Sequence, residues 1–149
     1  MKIKSNAHTH STFCDGKSTV EEMVETALAK GFTALGFSGH SHLAFDPEYS
    51  MSLTDTLLYQ KAVLAAQEKY KGQISIHLGI EQDSFSETSA EPYSYVIGSV
   101  HYVKGPLDGV LYPVDSDHET LTACLKNGFG GDREAMVKAY YQSVAEMVK

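Results

Sequence analysis

The chain has 149 residues, of which 19 are acidic, 12 are basic and 7 are histidine, for a formal net charge of −7. That length suffices for one domain with a real core. The acidic balance, with Arg133 as the only arginine, argues against a nucleic-acid partner, whose backbone must be met by cations. No apolar run is long enough to span a membrane, and the N-terminus lacks a signal-peptide pattern. Cys14 and Cys124 form no CxxC pair, so no disulfide framework is expected and a cytoplasmic location fits.

The elements follow in chain order. Lys2 to Ala7 reads as a first strand. Ser18 to Glu21 has the form of a capping box, and Val20, Met23, Val24, Ala27 and Leu28 then recur at helical spacing until Gly31. Phe32 to Ser38 reads as a buried strand, followed by a polar loop to about Ser52. A helix is expected over Thr54–Lys71, ended by Gly72. Strands follow over Ile74–Ile80 and Tyr93–Val100, with a short extra one at Val110–Val114. Ser116 to Glu119 suggests a second capping box, opening a helix that stops at Gly128. Asp132 caps a last helix with Val137, Tyr140, Tyr141, Val144 and Val148 on one face. Alternating strands and helices argue for an α/β fold, a parallel sheet or barrel covered by helices.

In such folds chemistry collects at the C-terminal ends of strands. His8 and His10 follow the first strand, and alternate strand residues point to one side. His40 and His42 follow the second, Glu81 and Asp83 the third, and His101 the fourth. Imidazole mixed with carboxylate suits Zn, Mn or Fe better than Mg. A bridging carboxylate suits two metals roughly 3.5–4 Å apart. Bound divalent ions would also offset the negative charge where a phosphate would sit.

The segments HTHSTFCDG (8–16), GFSGHSH (36–42), GIEQD (79–83) and IGSVH (97–101) together resemble the polymerase-and-histidinol-phosphatase (PHP) family. Within it they are most similar to the monofunctional histidinol-phosphate phosphatases. The loop FDPEYSMS (45–52) and the NGFGGD turn (127–132) also resemble that branch. The resemblance implies a distorted β/α barrel holding two or three divalent metals. It implies that His8 and His10 bind one metal, that Glu81 bridges it to a second held by His101, and that Asp15 and His40 bind a third. Gly39 stands where the family usually has an acid. The family also uses later ligands, and a full β/α barrel takes roughly 250 residues. Residues 1–149 therefore read as one PHP domain, the N-terminal part of a barrel with about four β/α units.

The resemblance implies a metal-dependent phosphomonoesterase hydrolysing histidinol phosphate in histidine biosynthesis, with a metal-bridging hydroxide attacking phosphorus and Glu81 and His101 as catalytic residues. No GxSxG or phosphate-loop motif offers another nucleophile. His42, Lys17 and Arg133 are the candidate contacts to the phosphorylated metabolite. His42 could equally be a ligand or a loop residue. Asp83 would act behind the ligands or at the surface, and His77 would point inward as a hydrogen-bonded structural histidine. His118 is expected at the surface, Cys14 as a buried neutral thiol, and Tyr140 and Tyr141 in core or interface. An inactive metal-binding fragment, an amidohydrolase-like enzyme and another PHP hydrolase are the alternatives. The amidohydrolase pattern usually has a bridging lysine where this chain has Glu81. An uncovered sheet edge favours a homo-oligomer, and no membrane partner is expected.

Overall fold

The computed structural model describes residues 4–147. The chain divides into two compact units. The first comprises Met1–Gln82 with Ser86–Ile97, and the second Asp83–Phe85 with Gly98–Lys149.

A curled, parallel half-barrel sheet carries the α/β architecture. Its order is β1 (Ser5–Asn6), β2 (Ala34–Phe37), β3 (Ser75–Asp83) and β4 (Tyr95–Ser99). β1 and β2 pair in parallel through Ser5–Ala34 and Asn6–Leu35, and β2 and β3 through Ala34–Ser75 to Phe37–Leu78. β1 is shorter than expected, and the part of its predicted range at Lys2 and Ile3 lies outside the described residues. The connection from β3 to β4 carries no helix, so the expected β/α alternation lapses there.

α1 (Val20–Ala29) and α2 (Leu53–Lys69) cover one face of this sheet. Val20, Val24 and Ala27 from α1 and Tyr59, Val63 and Ala66 from α2 are buried with Leu35, Phe37, Ile76, Leu78 and Ile80. The strand residues of this set alternate, as one face of a pleated sheet requires. The capping box of α1 lies one residue later than expected. The Thr19 hydroxyl accepts from the Glu22 amide, and the Glu22 carboxylate accepts from the Thr19 amide. Glu21 instead meets Lys69 and Tyr70 of α2.

In the second unit β5 (Tyr102–Lys104) pairs antiparallel with β6 (Leu111–Pro113). Sequence reading found only the second of these strands. α3 (His118–Ala123) is capped by Asp117, not Ser116: its carboxylate accepts from the Thr120 amide at 2.7 Å. A carboxylate also complements the helix N-terminus. A π-helical turn, Cys124–Gly128, continues α3. α4 (Arg133–Glu146) is capped by Asp132. Its packed side is Ala135, Met136, Ala139 and Tyr140, against Val103, Tyr112, Cys124 and Phe129. Val137, Tyr141 and Val144 are exposed, so the expected apolar face is turned by about one residue. Small alanines let α4 approach more closely than valines would. Val148 lies outside the described residues. No helix among the described residues is long and apolar enough to cross a membrane.

Candidate metal centre

The other face of the first unit's sheet carries the polar residues. Gly36 and Gly79 sit on this face, and a side chain from β4 closes over both. A Cβ at either glycine would collide with the Tyr95 ring or hydroxyl. The Tyr95 hydroxyl donates to the carbonyls of Ala7 (2.5 Å) and Phe37 (3.2 Å). Burial pushes this phenol up to about 12. Glu81 lies two residues beyond Gly79 on the same strand face and is 5% exposed.

Three imidazoles converge on Glu81. Its Oε2 lies 3.0 Å from His8 Nε2, 3.0 Å from His10 Nε2 and 3.4 Å from His40 Nδ1. His40 is placed by a single parallel bridge to Glu81, through Glu81 N–H to Gly39 O and Ser41 N–H to Glu81 O. The turn after His10 folds back on itself: the amides of Cys14 and Gly16 both donate to the Ser11 carbonyl. This brings Asp15 Oδ1 to 2.8 Å from His10 Nδ1 and Oδ2 to 3.7 Å from His40 Nε2.

Two donor sets therefore form within this unit, His8–His10–Glu81 and His10–Asp15–His40, each with its ligand atoms within 4.8 Å of one another. Zinc bonds of about 2.0–2.2 Å in a tetrahedron put neighbouring donors roughly 3.3 Å apart, which the Glu81 distances match. Metal-ligating histidines commonly donate their second N–H to a carboxylate, as His10 does to Asp15. The residues present thus fit a divalent ion.

The electrostatics point the same way. Cys14, Glu81 and Asp15 together hold the His10 imidazole at about 10, against burial. The site thus draws positive charge to His10. Burial alone would raise Asp15, but the hydrogen bond from His10 and the charges of His10 and His40 outweigh it and hold the carboxyl low. Cys14 is a free thiol, half-buried, with Sγ 3.8 Å from His10 Nδ1.

His101 belongs to the second unit. Its N–H donates to Asp83 Oδ2 at 3.0 Å, and its Nδ1 lies 3.1 Å from the same oxygen. Asp83 Oδ1 accepts from the Phe85 amide. Asp83 is buried, so of its two expected places the surface one is excluded. Burial would raise its carboxyl, but His101 and the Phe85 amide hold it low. Asp83→Ala would orphan two backbone N–H groups and release His101. A stability loss of about 1–3 kcal/mol is expected, read from the urea midpoint; an unchanged midpoint would show that other partners replace the carboxylate.

The remaining predicted residues are not among the first unit's donor sets. His42 Nδ1 donates to the Met51 carbonyl at 2.9 Å, leaving Nε2 as an acceptor. Lys17 and Arg133 are exposed. His77 is also exposed, although an inward-pointing, hydrogen-bonded structural histidine was expected. His118 is exposed, as expected, with Nδ1 on the Thr122 hydroxyl. Sequence reasoning missed Tyr95 and Thr9, whose hydroxyl donates to the Gly36 carbonyl. The available signal was glycine at 36 and 79 inside strands, a mark of close approach.

A PHP domain model matches residues 6–148. A histidinol-phosphatase of Bacillus subtilis (strain 168) is 29% identical over 164 residues, covering 95% of this chain and 58% of its own length. A structure of a candidate histidinol phosphatase from Listeria monocytogenes superposes with a TM-score of 0.65 at 23% identity, over 78% of this chain and 51% of that one; at that identity it speaks for the fold alone. A histidinol phosphate phosphatase of Lactococcus lactis subsp. lactis Il1403, complexed with zinc, L-histidinol and phosphate, superposes with a TM-score of 0.55 at 28% identity, over 66% of this chain and 40% of that one. The chain spans about half the length of these relatives. With residues 6–148 inside the family match, the chain belongs to the PHP domain family.

Proposed function

We propose that this chain belongs to a metal-dependent phosphomonoesterase acting on histidinol phosphate. The observation that carries the reading is one buried carboxylate oxygen met by three imidazole nitrogens at 3.0–3.4 Å. His8, His10 and Glu81 would hold one divalent ion, Asp15 and His40 would serve a further one, and His101 would offer Nε2 to another. Zn, Mn or Fe suits these donors. Bound there, such ions supply charge neutralisation for phosphate oxygens and acidify a water nucleophile. Asp15 fixes the His10 tautomer by accepting a hydrogen bond from its Nδ1–H. Glu81 Oε2, buried among imidazoles, keeps negative charge where a cation is needed. Phosphate contact is assigned to Lys17, one residue beyond Gly16, with Arg133 and the free Nε2 of His42 as further contacts to substrate.

The substrate assignment is supported by the histidinol-phosphatase names of the relatives and by the histidinol and phosphate in the Lactococcus lactis complex. Because the chain covers 58% of the Bacillus subtilis relative, a metal-binding domain without turnover is the second reading. Phosphate release from histidinol phosphate with Mn or Zn added separates them. Release that a chelator abolishes is expected. Release that survives chelation would overturn the metal reading, and stoichiometric metal binding without release would favour the second.

A further inference from the structure

The ladder between β1 and β2 ends at Asn6–Leu35, one residue before Ala7 and two before His8. Beyond that point one backbone bond, Ser38 N–H to Thr9 O at 2.9 Å, and a set of side chains hold the segment. Asn6 Oδ1 accepts from the His8 amide at 3.0 Å. The Thr9 hydroxyl donates to Gly36 O at 2.6 Å. The Tyr95 hydroxyl, reaching from β4, donates to Ala7 O at 2.5 Å. Its ring occupies the layer beneath Glu81, and glycine at 36 and 79 is what leaves room for it.

His8 is the donor that most needs such support. His10 has Asp15 on its second ring nitrogen and His101 has Asp83. Among the described residues no partner is recorded for His8 Nδ1, and the side chain is 49% exposed. An imidazole without a second anchor takes its direction from its backbone.

We propose that Tyr95 is a positioning residue for the metal site: its hydroxyl, bonded to the Ala7 carbonyl, fixes the backbone that aims His8 Nε2 at the ion shared with Glu81. This rests on the reading of His8, His10 and Glu81 as ligands of one divalent ion. Tyr95→Phe keeps the ring over both glycines and removes only the hydroxyl. Loss of partners behind a metal ligand typically weakens binding about 10–100-fold, and that loss is expected here for Zn(II), measured by chelator competition on the whole chain. The melting midpoint of the metal-free chain should fall by only a few degrees, as for one hydrogen bond.

The decisive comparison is in the His8→Ala background. If Tyr95 acts through His8, Tyr95→Phe costs no further affinity there. Equal losses in both backgrounds, an unchanged affinity in the single variant, or a Tyr95→Phe chain that no longer folds would each overturn the proposal. Failure of the underlying metal reading looks different: wild type and His8→Ala would then bind zinc equally.

Discussion

Glu81→Gln is expected to weaken zinc binding at least about 100-fold, more than the loss of an outer partner would. The amide matches the carboxylate in size but brings no charge, and it faces three imidazole nitrogens with an NH2 group in competition for one oxygen. Wild type should gain stability on metal addition, about 2.7 kcal/mol at roughly 100 times the dissociation constant. The variant should gain almost none of it at the same concentration. Thermal melts with and without zinc, alongside chelator competition, read both quantities. A variant that keeps the metal-dependent rise in melting temperature would remove Glu81 from the ligand set.

That residue shows how much the sequence disclosed. Glu81, His8, His10 and His40 stand at the ends of predicted strands, and pleating plus parallel topology brings strand ends together. Helices α1 and α2 were equally readable, since Val20, Val24 and Ala27, or Tyr59, Val63 and Ala66, recur at helical spacing. What was hidden depended on neighbours remote in sequence. Tyr95 looked like an ordinary strand aromatic until two glycines on other strands showed what its ring covers. His77 shares the strand face of Glu81, yet is exposed where Glu81 is buried. The start of α3 turned on whether Ser116 or Asp117 turns its side chain to the helix. α4 packs its alanine side, only partly buried, against the small core beside it, which periodicity alone does not report.

Gly16→Ala should disrupt the same centre by steric means. A Cβ there would lie 2.5 Å from the carbonyl carbon of His10 and from the Ser11 amide nitrogen, and 2.6 Å from His10 O. All three are backbone atoms, so no side chain can swing aside. The turn would have to move off by roughly an ångström, taking Asp15 away from His10 Nδ1. Overpacking of this kind typically costs about 1–3 kcal/mol, and a displacement of about 1 Å can cost 100-fold in activity. The unfolding free energy from denaturant melts should fall by the first amount. Phosphate release, where the chain supports it, should fall by the second. An alanine variant with wild-type stability and metal affinity would show that the turn tolerates the shift and that Asp15 is not needed at that distance.

The two units keep separate apolar clusters, and these differ greatly in extent. One gathers side chains from two helices and two strands; the other centres on Val103, Tyr112, Cys124 and Phe129. Small cores are marginal on their own. Each unit is then expected to carry its own unfolding free energy, so the losses for Asp83→Ala and Gly16→Ala are read in the second and the first unit respectively. On heating, the lesser core is expected to dissolve first, with the Glu81 cluster persisting to higher temperature. Zinc held by His8, His10 and Glu81 would then raise the melting of the first unit and leave that of the second where it was.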